Sequence, residues 1–215
     1  MDAKAFTVSL ERNPKITIKV IPGHFTTSNV HSNNYLDVSE LMCTVSMAQD
    51  VARELSTPYL SNTLVDTIVC MERTEVIGAF LAQELLQHGV SVINSGADIY
   101  VVKPINNTNG NFIFQDNMTK WIADKNIILL VASISSGRTV STAIDCIGYY
   151  GGRLAGISAL FMTASHDELK QDVHALFTSD DIPGYKMFST AECGLCKAGI
   201  KLDAIINSDG YTKIG

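Results

Sequence analysis

The stretch IILLVASISSGRTVSTAI, Ile127 to Ile144, opens with five consecutive aliphatic residues, the composition of a strand buried on both faces of a parallel sheet. Val140, Ala143, Ile144 and Ile147 then recur on one face at helical spacing, and Gly151-Gly152 ends that helix. Between strand and helix stand small and hydroxyl-bearing residues, Ser135, Ser136, Gly137 and Thr139, with Arg138 among them. Backbone N–H groups in the first turn of a helix lack intrahelical partners, and the helix dipole is positive there. Gly137 lets a ligand approach and the hydroxyls add donors, so this turn suits a bound phosphate. The alternative is a turn whose Ser136 only caps the helix, and the segment alone leaves the two open. The pattern is neither a Walker A loop nor a GxGxxG fingerprint.

Working outward, Lys15 to Val20 alternates apolar and polar residues as a half-buried strand does, and Pro22-Gly23 is expected to end it. Leu41, Val45, Ala48, Ala52 and Leu55 form one stripe, which predicts a helix to about Thr57, with Asp37 and Glu40 as a capping box and Pro58 as the stop. Val65 to Met71 reads as a strand and Val76 to Leu85 as the helix after it. Further extended runs are Val90 to Ile93, Ile99 to Val102, Leu154 to Phe161, Val173 to Phe177 and Tyr185 to Phe188; Asn106 to Asn111 reads as an exposed loop and Asp167 to Lys170 as a short helix. Strands alternating with helices predict an α/β fold with a doubly wound, mostly parallel sheet flanked by helices.

The composition bounds the function. With 215 residues, 46% of them apolar and 18% charged, one compact domain is expected. The longest apolar run, Ile127 to Ala132, is far short of the roughly 20 residues that span a membrane, and the first twenty residues carry no secretory h-region, so a cytoplasmic protein without a membrane partner is expected. A net charge of -6 opposes nucleic acid as a partner. Five scattered cysteines do not make a disulfide framework.

A buried strand, two residues, a short Ser/Thr/Gly loop ending in Thr and then a helix resembles the phosphoribosyl-diphosphate motif of the type I phosphoribosyltransferases. GHFTTSNVHSNNYLDVS, Gly23 to Ser39, is similar to the N-terminal segment of the orotate-type members; ERTEVIG after Met71 falls at their pyrophosphate loop, and DIYVVKP, Asp98 to Pro104, leads to their catalytic loop. The resemblance implies a Rossmann-like core over residues 1–215 with a small hood at 1–36. It implies a pentosyl transfer in pyrimidine nucleotide metabolism, magnesium on the phosphorylated ligand, and a homodimer. By the same resemblance Ser135, Ser136, Gly137, Arg138 and Thr139 hold the ribose 5-phosphate, Ala132 and Ser133 lie at the ribose, Glu72, Arg73, Thr74 and Lys103 on the pyrophosphate side, and Phe25, Thr26, Asn29 and His31 on the base side.

Three departures point to impaired catalysis or to a nucleotide-sensing protein without turnover. The family's acidic pair before the phosphate loop is replaced by Ala132 and Ser133, the loop from Pro104 to Thr119 has no Lys, Arg or His, and Glu72-Arg73-Thr74 replaces a small Gly-containing turn. Losing two hydrogen bonds to charged groups removes about 3 to 6 kcal/mol of stabilisation. No catalytic residue is assigned. ECGLCKAG holds a CxxC pair, Cys193 and Cys196, that is half of a zinc site, with Cys43, His174 or a second subunit as the source of the rest. One pair is more simply a structural closure, so zinc is not expected. His24 and His31 flank the FTTSN turn and read either as exposed loop groups or as groups facing the base.

Overall fold

The structure is a computed structural model that describes residues 4–28, 30–88, 98–106, 111–163, 171–207 and 210–214. In chain order its strands are β1 (Phe6–Leu10), β2 (Asn13–Thr26), β3 (Val30–Asp37), β4 (Thr67–Cys70), β5 (Tyr100–Val102), β6 (Ile105–Asn106), β7 (Phe112–Ile113), β8 (Asn126–Ile134), β9 (Arg153–Met162), β10 (Val173–Thr178), β11 (Met187–Ser189), β12 (Ala204–Asn207) and β13 (Gly210–Lys213). The helices are α1 (Ser39–Cys43), α2 (Val45–Ser56), α3 (Glu75–His88), α4 (Arg138–Tyr149) and α5 (Gly194–Lys197). The chain forms two compact units: residues 1–41 with 177–215, and residues 42–176. The hood expected at 1–36 lies within the first.

The second unit is built on a sheet of order β10-β9-β8-β4-β5, in which β5, β4, β8 and β9 run parallel. Ile127, Ile128, Leu129 and Leu130 are all fully buried, so both faces of β8 are covered, as its unbroken apolar run requires. Burying each such side chain contributes about 1.5–3 kcal/mol. Ile127, Leu129 and Val131 pack with Val140, Ala143 and Ile147 of α4 on one face. Gly78 of α3 sits against Cys70 and Ile68, whose alternation with Val69 puts them on the other face. The sheet is doubly wound. β4 and β8 are adjacent, yet α3 leads from β4 toward β5 while α4 leads from β8 toward β9. Connections that leave neighbouring strands in opposite directions open a crevice at their carboxyl ends.

The first unit is a six-stranded sheet, β11-β3-β2-β12-β13 with β1 on β2. Pro22-Gly23 does not end the strand expected over Lys15 to Val20: β2 continues to Thr26 with a register irregularity between Pro22 and Phe25. Pairing with β1 ends at Val20, and β12 begins pairing at Phe25 on the same edge, so the missing N–H of Pro22 falls in the gap and costs no ladder bond.

The helix expected over Leu41 to Thr57 is two helices, because Thr44 is extended and restarts the chain as the N-cap of α2. Asp37 makes no capping box with Glu40; its Oδ1 accepts the backbone N–H of Ser39 at 3.0 Å. Pro58 lies inside a single 3-10 turn, Thr57–Tyr59, that follows α2. Val90 to Ile93, Asp167 to Lys170 and most of Asn106 to Asn111 lie outside the described residues. No helix among the described residues is long and apolar enough to cross a membrane.

Gly152 is enclosed by isoleucines: a Cβ there would lie 2.6 Å from Ile127 Cδ1, 2.8 Å from Ile147 Cγ2 and 3.2 Å from Ile122 Cγ2. Branched side chains at χ1 give way poorly, so Gly152→Ala is expected to destabilise by about 1–3 kcal/mol. Gly148→Ala, inside α4 with nothing within 4 Å of the new methyl, is expected to hold or gain up to about 1 kcal/mol. Urea unfolding of the pair checks this, and equal midpoints would contradict the packing described.

Candidate functional site

The crevice between β4 and β8 carries two loops. Beyond β8 the chain turns through Ser135 and Ser136 into Gly137, the N-cap of α4, which has φ 70 and ψ -7. That left-handed conformation suits glycine and swings the chain directly from strand into helix. Ser136 does not cap the helix: the N-cap position makes no side-chain hydrogen bond, and the first intrahelical bond runs from Ser141 N–H to Gly137 O at 2.9 Å. The N–H groups of Arg138, Thr139 and Val140 therefore precede the ladder, where an anion can take them. Ser136, Arg138 and Thr139 are exposed, Ser135 is half-buried, and Gly137 is buried beneath them.

Beyond β4, Glu72 and Arg73 both hold left-handed backbone, with φ 52 and 68, at a place where glycine is the easier residue. The turn is fixed from inside. Thr74 is fully buried, and its hydroxyl donates to Met71 O at 2.7 Å and Leu130 O at 3.2 Å, tying the loop to both strands. Glu72 then reaches across the crevice, where its Oε2 accepts the backbone N–H groups of Ala132 and Ser133, each at 3.1 Å. Burial raises the Glu72 pKa above its ordinary value, and the two N–H donors only partly offset this. A carboxyl held toward its neutral form repels a phosphate on the adjoining loop less than a full charge would.

The remaining residues expected on the pyrophosphate side, Lys103 and Arg73, have partners within the protein. Lys103 Nζ is 2.6 Å from Glu75 Oε1, and that hydrogen bond and charge raise the lysine pKa. Partial burial pushes the Glu75 carboxyl upward, but Lys103, with Arg73 adding to it, holds it below the ordinary range. An open groove of about 330 Å³ runs beside the pair, lined by Glu75, Lys103, Val102, Ile105, Gln115 and Met118. Arg73 is exposed and reaches the sulfur of Cys43 at 4.0 Å.

The residues expected on the base side lie in the first unit. Phe25 is fully buried against Tyr35, with ring centroids 5.9 Å apart. Thr26 is half-buried and its hydroxyl donates to Thr27 O at 2.8 Å, while Asn29 lies outside the described residues. His24 and His31 are not exposed loop groups: they are 1% and 8% accessible, on neighbouring strands. The register that pairs Thr26 with His31 puts His24 diagonally across from His31 on the same face, and Cys193 and Cys196 meet them there. The sequence showed each pair but not their meeting, because the two lie at opposite ends of the chain.

This chain superposes on the orotate phosphoribosyltransferase of Mycobacterium tuberculosis H37Rv, solved with Fe(III) dicitrate, with a TM-score of 0.52 and 11% identity over 75% of this chain and 90% of that one. The fold is that of the type I phosphoribosyltransferases. A second match, to UMP synthase of Leishmania donovani, has a TM-score of 0.54 and 18% identity over 74% of this chain, which spans 33% of that longer protein. No protein-family model matches the chain, and no curated protein matches it by sequence.

The Glu72 carboxyl makes the stability of the crevice depend on pH. Its folded pKa lies above the ordinary 4.5, so between those values the folded chain keeps a proton that the unfolded chain has released. Stability is fully present below the window and falls as pH rises through it. Urea midpoints of the wild type, measured from about pH 4 to 7 and taken relative to Glu72→Gln, are expected to decline over that range; parallel profiles would show that Glu72 titrates normally.

Proposed function

We propose that this chain binds a phosphorylated ribose ligand, phosphoribosyl diphosphate or a nucleoside monophosphate, at the β8–α4 turn, and that it acts in nucleotide metabolism in the cytoplasm with catalysis weaker than an orotate-type enzyme's. The supporting observation is the N-terminus of α4, where Gly137 supplies left-handed backbone and no side chain caps the turn at the crevice of the sheet. The hydroxyls of Ser135, Ser136 and Thr139 and the guanidinium of Arg138 border the same turn.

In the transferase form of this reading, a nitrogen of a pyrimidine-type base bonds to ribose C1 as the bond from C1 to the pyrophosphate oxygen breaks, and pyrophosphate leaves with that electron pair. The residues here do little for either end of that displacement. Ala132 is buried and Ser133 uncharged, so no carboxylate stands at the ribose from this strand, and Lys103 is already matched by Glu75. Among the described residues no cluster of carboxylates at this crevice fits magnesium, since Glu72 accepts two backbone N–H groups and Glu75 is ion-paired. Any magnesium would be carried by the ligand's own phosphate oxygens.

The second reading, a nucleotide-sensing protein without turnover, is favoured by the same pairing of Lys103 and by the buried Thr74 hydroxyl, which is spent on holding the loop. Both readings share the cradle and part at the chemistry.

Calorimetric titration with phosphoribosyl diphosphate and with nucleoside monophosphates, beside a pyrophosphate-release assay with orotate and related bases, separates them. Binding is expected, with Thr139→Ala weakening it roughly 10- to 100-fold, the worth of one hydrogen bond to a charged group. Turnover is expected below the ordinary enzymatic range of about 1 to 1,000 per second. Failure of every phosphorylated ribose to bind would remove the proposal. A homodimer belongs to the proposal on the resemblance alone, and a 23.3 kDa monomer in sedimentation at micromolar concentration would count against it.

A further inference from the structure

In the first unit, four side chains from two distant parts of the sequence point their donor atoms at one another. His24 Nε2 is 3.1 Å from His31 Nδ1, 3.4 Å from Cys193 Sγ and 3.6 Å from Cys196 Sγ; Cys196 Sγ is 3.3 Å from His31 Nδ1. All four donor atoms lie within 4.8 Å of one another. His24, His31 and Cys193 are buried, and Cys196 closes the cluster from the exposed side.

Hydrogen bonding accounts for only part of this convergence. The other ring nitrogen of His24, Nδ1, is 2.8 Å from the carbonyl oxygen of Ile200, which can only accept, so the proton sits on Nδ1. In the neutral ring Nε2 then offers one lone pair, which accepts one hydrogen, and three polar atoms stand within 3.6 Å of it. A cation at the centre resolves the crowding, because each of the four groups can turn one lone pair toward it.

The distances also match a particular geometry. Metal–sulfur bonds of about 2.3 Å and metal–nitrogen bonds of about 2.0–2.1 Å, arranged tetrahedrally, set edges of roughly 3.3 Å between nitrogens and roughly 3.5–3.6 Å between nitrogen and sulfur. The four distances given above scatter around those values by a few tenths of an ångström, and the other two edges lie within 4.8 Å. Two soft sulfurs with two imidazoles in a tetrahedron is a zinc donor set.

The surroundings support the ligands as a metal site's outer contacts do. The Ile200 carbonyl fixes the tautomer and ring orientation of His24. Asp203 pins the same residue's backbone, its Oδ2 accepting His24 N–H at 2.8 Å and its own N–H donating to His24 O at 2.8 Å. Cys193 is the N-cap of α5 and Cys196 lies within that helix, a short turn that brings both sulfurs to one side.

We propose that His24, His31, Cys193 and Cys196 bind one zinc ion, four-coordinate and closed, whose work is to clasp the β2–β3 hairpin to the segment that carries α5 and β12. The sequence alone offers Cys43, His174 or a second subunit for the missing ligands; Cys43 and His174 belong to the second unit, and the histidines of the hairpin complete the set within the first. With four protein ligands no position remains for water, so the site is structural rather than hydrolytic. It is independent of the phosphate cradle, and its test has no bearing on that reading.

The experiment is metal analysis of the full chain purified without chelator or affinity-metal steps, followed by replacement of the bound metal with cobalt(II). About one zinc per chain is expected, with chelation lowering the melting temperature and added zinc restoring it. The cobalt form is expected to show the intense visible bands of a tetrahedral ion together with thiolate-to-metal charge transfer. Cys193→Ser and His31→Ala should each reduce zinc to near none, while Cys43→Ser keeps it. Should the ligand variants fail to fold, His31→Cys keeps four ligands and is expected to retain the metal with a stronger thiolate band. A wild-type chain that takes up no zinc after reduction and reconstitution, one that holds iron instead, ligand variants that keep full zinc, or a Cys193–Cys196 disulfide as the only reaction at the cluster would each overturn the proposal.

Discussion

Strand β8 has strands on both edges and packed side chains on both faces, and that enclosure governs the second unit. A strand so buried can meet solvent only at its ends. Its carboxyl end adjoins β4, where α3 and α4 diverge, so the chain must turn there with groups that tolerate exposure and close approach. Gly137 makes the turn, serines and a threonine line it, and the first N–H groups of α4 face outward. The turn proposed to take an anion is thus a consequence of burying Ile127 to Leu130, and it requires no separate device.

What the crevice does with a ligand depends on how its charged groups are spent. Glu72 lies across from the turn, but its carboxylate caps the N–H groups of Ala132 and Ser133, and its pKa is raised by burial. Lys103 neutralises Glu75. Charges that are satisfied within the protein hold a loop in place and contribute little to a developing charge on a substrate. This is the physical basis of the weak catalysis proposed for the crevice.

The second unit was legible in the sequence because its signals are local. The apolar run of β8, the stripe of α4 and the stop at Gly151-Gly152 each act within a few residues, and the parallel sheet follows from their alternation. The first unit was less legible. β12 and β13 carry short, half-exposed patterns, and β2 runs through a Pro-Gly pair that reads as a stop unless one knows that neither β1 nor β12 pairs there. The Thr44 break in the expected helix likewise has no Gly or Pro to announce it. The histidines and cysteines were visible one pair at a time; their chemistry arises only from a register between distant strands.

The pairing of β2 with β12 also bears on how the chain is made. Ala204 lies beside Phe25, and the neighbouring contact between His24 and Asp203 spans 179 positions, so the first unit draws its sheet from both ends of the sequence. A ribosome delivers residues 1–41 long before residues 177–215. The sheet of the second unit is complete by residue 178, whereas β2 and β3 emerge with an unclaimed edge and must wait through the synthesis of everything between. The first unit can therefore close only after residues 177–215 have been made, and the interval before those strands arrive is when an exposed edge is open to mispairing and to chaperones.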